Sequence, residues 1–353
     1  MNDMKTRGKF LDMDTFEAVR IDNVSKYYGA VAAVKDVDCT VQSGEFLTLL
    51  GPSGSGKTTL LMMLAGFTTP SEGQIWVDTK DITHVPPEQR NFGVVFQGYA
   101  LFPHMTVFDN VAYPLRLRKM PARQIRQKVE QILSLVRLDA YADRHPRQLS
   151  GGQQQRTALA RTLVYDPILI LLDESLGALD KQLRGELQQE LKALHRQLGR
   201  TFVNVTHDQQ EALDMSDRIV VMNEGGVEQI GTPRELYERP NSRFVVEFLG
   251  DSNLLPTSLA FGGTDDPSRS ALIRPEAISI GASDTKPTGE DQMMVRATVR
   301  STSYFGSDQL VEVALDSGLT LRVRVNSAHA IPIEEGGSVS ISWERRNLHL
   351  VDN

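Results

Sequence analysis

The 353-residue sequence is 40% hydrophobic and 24% charged, with a formal net charge of −7. At about 100–200 residues per domain this is two or three domains, and the composition excludes a mostly disordered or collagen-like chain. The acidic balance argues against a nucleic-acid binder resting on bulk charge, and no apolar run approaches the ~18 residues of a membrane helix. The first segment, MNDMKTRGKFLDMD, has no apolar core, so no secretory signal is expected, and residues 1–17 read as a polar extension. From Ala18 strand-like runs alternate with longer periodic segments, as in a sheet covered by helices. Cys39, the only cysteine, lies in the alternating run VAAVKDVDCTV. It reads as a buried strand thiol with no internal disulfide, which fits a reducing, cytosolic setting. Glu45–Leu50 reads as a buried strand, followed at once by GPSGSGKT and the helical TLLMMLAG. Within Arg123–Leu138, Ile125, Val129, Ile132, Leu133 and Val136 recur at helical spacing. Ile168–Leu172 is a second buried strand, and Leu183, Leu187, Leu191, Leu194 and Leu198 mark a helix ended near Gly199. Thr201–Thr206 and Asp217–Met222 read as further strands.

After about Phe248 the pattern changes to short strands separated by Gly, Asp and Ser. SALIRPEAISI, MMVRATVRSTSYF, QLVEVAL, LTLRVRV, SVSISW and LHLV are the candidates, and together they argue a small all-β barrel. The expected division is an extension over 1–17, an α/β domain over 18–245 and a β-barrel domain over 246–353.

Three motifs carry chemistry. GPSGSGKT, Gly51–Thr58, fits G-x-x-x-x-G-K-[ST] between a predicted strand and a predicted helix, where glycines let several N–H groups face one phosphate chain. Lys57 places a charge on the β- and γ-phosphates, and Thr58 offers a hydroxyl to Mg²⁺. The strand ILILL delivers Asp173 and Glu174 at its C-terminal tip, where open α/β sheets hold ligands. Asp173 suits Mg²⁺ through water, and Glu174 can polarise an attacking water. LSGGQQQR opens a helix with Ser150, Gly151, Gly152 and Gln153. This is a second phosphate-facing N-terminus, a plain capping box of Ser150 with Gln153, or both at once. No His/Cys cluster suggests zinc.

Taken in order, GPSGSGKT, Gln97 in VVFQGYALFPH, LSGGQQQR, LLDES, SLGALD and His207 in VTHDQQEAL resemble the ATPase subunit of ATP-binding-cassette (ABC) transporters, over about residues 18–245. The resemblance implies a P-loop NTPase domain of the ABC ATPase type, with the C-terminal barrel as an OB-like (TOBE) regulatory domain. It implies ATP and Mg²⁺ as ligands, with Gly51, Pro52, Ser53, Gly54, Ser55, Gly56, Lys57, Thr58 and Thr59 around the phosphates. Thr58, Gln97 and Asp173 would hold Mg²⁺, with Gln97 also contacting the attacking water. Glu174 would be the general base, His207 the γ-phosphate contact and Asp180 the acid at a dimer seam. Ser150, Gly151, Gly152 and Gln153 would face the nucleotide of a partner copy. Tyr28, before Gly29, would stack on adenine, with Tyr27 as the alternative and a purely structural tyrosine left open.

Ser175 departs from the proline that most relatives carry after the catalytic glutamate. GEFLTLLGPSG, DITHVPPEQR and Ser175 resemble the polyamine-importing branch, and LIRPEAISI resembles the regulatory barrel of ATPases that serve binding-protein-dependent importers. The partners so implied are a second copy, two integral-membrane permease subunits and a periplasmic or surface solute-binding protein, at the cytoplasmic face of the inner membrane. Iron, sugar and phosphonate importers look much alike. A soluble cassette ATPase of translation or DNA repair would carry two cassettes or a long coiled-coil insert, and neither is visible. A P-loop kinase would leave LSGGQ, Gln97 and His207 unexplained.

Overall fold

A computed structural model describes residues 16–174, 181–261, 264–282, 291–329 and 334–352. They divide into two compact units, Met1–Pro233 and Arg234–Asn353.

The first unit opens with β1 (Ala18–Tyr28), β2 (Val31–Gln42), β3 (Phe46–Leu50) and α1 (Lys57–Ala65). Then come β4 (Glu72–Val77), β5 (Lys80–Asp81), the one-turn α2 (Pro87–Arg90) and β6 (Phe92–Val95). Three helices follow, α3 (Val107–Leu117), α4 (Ala122–Leu135) and α5 (Gly151–Leu163). The unit ends with β7 (Leu169–Asp173), α6 (Lys181–Leu198), β8 (Thr201–Thr206), α7 (Gln209–Met215), β9 (Arg218–Asn223) and β10 (Gly226–Gly231).

One sheet runs in the order β10-β9-β3-β8-β7-β6, parallel apart from the edge strand β10, and an antiparallel sheet runs β2-β1-β4-β5. Successive side chains of the parallel strands enter different cores. Leu47, Leu49, Leu169 and Leu171 join Leu60, Leu61 and Leu64 of α1 and Val19, Ile21 and Ile75 of the antiparallel sheet. Phe46, Ile170, Leu172 and Phe202 join Ala158 and Leu159 of α5 and Leu187, Leu191 and Leu194 of α6. Burial on both faces is why ILILL reads as a continuous apolar run and EFLTLL as one interrupted only by Glu45 and Thr48. Each such leucine contributes about 1.5–3 kcal/mol on leaving water.

A third cluster joins α3, α4 and α5 through Val111, Leu115, Ile125, Val129, Leu133 and Ala160. The helix expected over Arg123–Leu138 stops at Leu135, because Arg137 turns left-handed (φ 57°). The Leu138 N–H then donates to the Leu133 carbonyl at 2.8 Å and the Arg137 N–H to the Ser134 carbonyl at 3.1 Å, closing a Schellman cap without a glycine. One expectation needs correction at the N-terminal side. Residues 1–15 of the expected extension lie outside the described residues, but Phe16, assigned to it, is buried in the first core cluster. Cys39 is buried as expected, and burial pushes its thiol up to about 12.

The second unit contains α8 (Pro233–Glu238) from its second residue on, then α9 (Arg243–Phe248), β11 (Asn253–Pro256), α10 (Thr257–Phe261), β12 (Arg269–Ile273) and β13 (Ser279–Ala282). β14 (Gln292–Tyr304), β15 (Asp308–Leu315), β16 (Thr320–Asn326), β17 (Ser338–Glu344) and β18 (His349–Asp352) complete it. The strands form antiparallel sheets β11-β12-β18 and β13-β17-β14-β15-β16 around Ile273, Val299, Val313, Ile341 and Trp343. The run SALIRPEAISI is two strands rather than one, since Pro275 offers no N–H and begins a 3₁₀ turn, Pro275–Ala277. The unit also begins earlier than residue 246. Val246 packs on Leu272 and Val351, and the Arg274 guanidinium lies 4.0 Å from the centroid of the Tyr237 ring while donating to the Tyr237 carbonyl at 2.9 Å.

Candidate active site

The parallel sheet gathers its chemistry at the C-terminal ends of four adjacent strands, β3, β8, β7 and β6. After β3 the chain enters Gly51–Thr58, with Gly54 and Gly56 left-handed at φ 83° and 95°. A Cβ on Gly56 would lie 2.3 Å from the Ala33 carbonyl oxygen, and one on Gly51 would lie 2.3 Å from that of Met222. The loop therefore closes only with glycine at both positions. Gly56 caps α1 with no side-chain hydrogen bond, so the first N–H groups of that helix face outward as a ready anion site.

Lys57 is buried and folds back over the loop, donating from Nζ to the Gly51 carbonyl at 2.9 Å and the Pro52 carbonyl at 2.8 Å. Burial pulls its ammonium below the usual lysine range, while the charges of Glu174 and Asp173 pull the other way. The Thr58 hydroxyl donates to Asp173 Oδ1 at 3.2 Å. Burial raises the Asp173 carboxyl, and this hydrogen bond opposes the rise. Thr58 and Asp173 thus bring hard oxygen ligands together beside the glycine loop, with the Gln97 segment entering from β6. That donor chemistry fits a Mg²⁺ completed by phosphate and water oxygens.

Glu174 follows at the tip of β7 in left-handed backbone, φ 44°, with its N–H donating to the Val205 carbonyl at 3.0 Å. Its Oε2 accepts from Gln97 Nε2 at 3.0 Å, and its Oε1 lies 3.4 Å from His207 Nδ1. Gln97, Glu174 and His207, expected to act together, meet within hydrogen-bonding reach on three neighbouring strand ends. A non-glycine residue held at positive φ in such a place is a strained position of the kind found at functional sites.

Ser150 caps α5: its hydroxyl accepts from the Gln153 N–H at 3.4 Å and its N–H donates to Gln153 Oε1 at 3.0 Å. The capping box is therefore present, and Gly151 and Gly152 form the first turn above it. No hydrogen bond among the described residues links Ser150–Gln153 to Gly51–Thr58 of the same chain. Tyr28 ends β1 more than half exposed, at 55%, against 38% for Tyr27, with Lys26 Nζ 5.4 Å from its ring centroid. Asp180 and Ser175 lie outside the described residues.

A buried network behind His207 escaped the sequence reading. Glu211 accepts from Asn204 Nδ2 at 2.8 Å and from the Thr206 hydroxyl at 3.2 Å, and its N–H donates to Asp208 Oδ1 at 3.1 Å. Burial pushes the Glu211 carboxyl up to about 7, against both side-chain hydrogen bonds. Asp208 is further tied to Arg184 at 3.1 Å. The available signal was polar Asn204 and Thr206 at alternate positions of an otherwise apolar strand, with an acidic residue three positions after Asp208.

Residues 34–177 match the ABC transporter family and residues 271–351 the TOBE domain. The spermidine/putrescine import ATP-binding proteins PotA of Shigella boydii and Escherichia coli (strain K12) are 57% and 56% identical over 236 residues, covering 67% of this chain. That match spans 62% of the length of those relatives. Among solved structures, cbiO1 of Clostridium perfringens, part of an ABC transporter complex, superposes with TM-score 0.59 at 30% identity, over 63% of this chain and 91% of that one. The dimeric bacterial ABC transporter cassette MJ0796 superposes with TM-score 0.55 at 35% identity, over 61% of this chain and 99% of that one. A strand-end site of this composition, on a cassette matched across nearly its whole length, places the chain in the ABC transporter family, with a TOBE domain at its C-terminal side.

Proposed function

We propose that the chain is the ATP-hydrolysing subunit of a binding-protein-dependent importer, with polyamines (spermidine and putrescine) as cargo. The observation that carries the hydrolytic reading is the meeting of Gln97, Glu174 and His207 beside the Lys57 loop. The cargo rests on the relatives at 56–57% identity that are named for spermidine/putrescine import.

In this reading Gly51–Thr59 wraps the phosphates with backbone N–H groups, and Lys57 exchanges its two carbonyl partners for phosphate oxygens. Thr58, Asp173 and Gln97 would hold Mg²⁺, which would supply charge neutralisation for the β- and γ-phosphates. Tyr28 stacks on the adenine. Glu174 accepts the proton of a water oriented by Gln97, the water oxygen bonds to the γ-phosphorus, and the bond to the bridging oxygen breaks. His207 donates to the γ-phosphate. Ser150, Gly151, Gly152 and Gln153 of a second copy close the site, and Asp180 belongs to the same seam.

Two integral-membrane permease subunits and a periplasmic or surface solute-binding protein complete the transporter, with this chain peripheral at the cytoplasmic face of the inner membrane. Among the described residues no helix is long and apolar enough to cross a membrane. An open groove of about 930 Å³, lined by Phe67, Phe102, Tyr113, Leu117 and Tyr165, is the surface we assign to a permease. Leu117 is 66% exposed there, and Leu117→Glu should break co-purification with permease subunits while sparing ATP hydrolysis by the free chain. The reading as a whole is tested in vesicles holding the chain, its permeases and the receptor. ATP-dependent uptake of spermidine or putrescine supports it. Uptake of only iron, sugar or phosphonate would move the cargo and keep the motor, whereas association with ribosomes or DNA would overturn the importer role.

A further inference from the structure

Tyr99 and Ala100, directly after the Gln97–Gly98 pair, both hold left-handed backbone, at φ 58° and 46°. Residues with a Cβ enter that region at a cost, and consecutive ones persist only where their surroundings over-determine them. Inside the turn the Tyr99 N–H donates to the Phe96 carbonyl at 2.8 Å and the Ala100 N–H to the Gly98 carbonyl at 2.6 Å. The outward carbonyls are taken by one side chain from α5. Arg161 donates from Nη2 to the Tyr99 carbonyl at 2.9 Å and from Nη1 to the Ala100 carbonyl at 2.7 Å. Its guanidinium carbon lies 5.5 Å from the centroid of the Phe102 ring, and among the described residues no carboxylate pairs with it. The Tyr99 ring is buried in the same cluster as Ala158 and Leu159, so backbone and side chain of the turn are both referenced to α5. Burial holds the Arg161 guanidinium below its usual range. A neutral amide would satisfy loop carbonyls without that cost, whereas the rigid fork of a guanidinium fixes two of them at a set spacing.

We propose that Arg161 is a positioning residue for hydrolysis: by clamping the Tyr99–Ala100 turn to α5 it holds the Gln97 carboxamide against Glu174. The clamp lies on the helix that begins at Ser150–Gln153, about 15 Å along its axis from Gly151. One rigid element thus joins the surface expected to meet a partner's nucleotide to the pair that activates water. This rests on the proposed ATP hydrolysis. It predicts that displacement of α5 is felt at Gln97 without any change in the phosphate cradle.

The test uses the full chain with Mg²⁺ and ATP, comparing the parent with Arg161→Lys, Arg161→Ala and Arg161→Lys combined with Ala100→Gly. Lysine keeps the charge but replaces the rigid fork by a single ammonium that holds the two carbonyls at no set spacing, so kcat should fall by about tenfold or more, with KM and the Kd of a fluorescent ATP analogue changed by less than about twofold. Glycine at 100 accepts the left-handed backbone without the clamp, so the double variant should regain several-fold of the lost kcat. Millimolar methylguanidinium, but not methylammonium, should restore part of the activity of Arg161→Ala. An arginine that merely stabilises the end of α5 would give loss of melting temperature and of activity together, with neither form of rescue, and that result overturns the proposal. So does an unchanged kcat in Arg161→Lys. If Arg161→Ala does not fold, the comparison of Arg161→Lys with its Ala100→Gly partner decides the matter. A parent chain that hydrolyses no ATP overturns the hydrolytic reading and this one with it, whereas an active parent beside an equally active Arg161→Lys removes Arg161 alone.

Discussion

Glu174 lies between the Gln97 carboxamide and the His207 imidazole, at a left-handed backbone position at the tip of β7. If it is the base, Glu174→Gln keeps size and hydrogen bonding but cannot take the proton. Hydrolysis should fall by about 10²–10⁴ while nucleotide binding through Gly51–Thr58 survives. Near-parental turnover in a phosphate-release assay would remove Glu174 from the role. Glu211 is a different kind of carboxyl. Its folded-state value, about 7, lies above the ordinary 4.5, so the folded chain keeps a proton that the unfolded chain releases. Stability from this group is therefore complete below about pH 4.5 and declines as pH rises to about 7, by about 3 kcal/mol at most. Glu211→Gln never acquires the buried charge. Thermal melts at pH 5 and pH 8 should show the variant gaining on the parent as pH rises, and parallel curves would refute the buried, protonated carboxyl. The residues that a motif names were legible because phosphate and proton chemistry restrict the residue type. Glu211 and Arg161 were not, because their work is to hold backbone and neighbours that only the fold brings near.

Strands β3 and β7 were readable as buried because, apart from Thr48 in β3 and the motif residue Asp173 that ends β7, every residue of each is apolar, and helices α4 and α6 because their leucine and isoleucine spacing matches one face. What failed was local. The Arg137 cap and the break at Pro275 depend on one residue's backbone geometry within a pattern that otherwise continues. The phosphate loop was the element whose sequence and shape agreed most closely, and its glycines are not equivalent. A Cβ at Gly54 meets nothing within 4 Å, whereas at Gly56 it would lie 2.3 Å from a backbone oxygen, although both hold positive φ. Gly54→Ala should thus cost only the left-handed penalty of about 1–2 kcal/mol. Gly56→Ala must also push β2 away from the loop and should cost several-fold more. Denaturant titration of the two variants side by side measures the difference, and equal losses would contradict the close approach to Ala33.

At the scale of the whole molecule, every residue assigned to phosphate or water lies in the unit that ends at Pro233. A chain ending there should bind nucleotide with affinity within about threefold of the parent. Loss of binding in a well-folded truncation would mean that the second unit shares in the site. The longest-range expectation concerns two copies. Gly51–Thr58 and Ser150–Gly152 are each the N-terminus of a helix, and two such ends aimed at one γ-phosphate reinforce each other when water is excluded. Within one chain no hydrogen bond among the described residues joins them, so we expect a head-to-tail pair of copies to bring them together. A chain carrying Lys57→Ala lacks its own cradle but still presents a sound Ser150–Gly152. A chain carrying Gly152→Asp keeps its cradle but sets a carboxylate against its partner's γ-phosphate. In a heterodimer the cradle of the Lys57→Ala copy faces the Gly152→Asp helix, so both lesions fall on one composite site and the other is whole. ATPase activity should therefore appear in the mixture although each variant alone is inactive. A verified heterodimer with no activity leaves two explanations, and a linked dimer bearing only one lesion separates them. If that dimer is also inactive, the two sites fire only together. If it is active while the heterodimer is not, the shared-site arrangement is wrong.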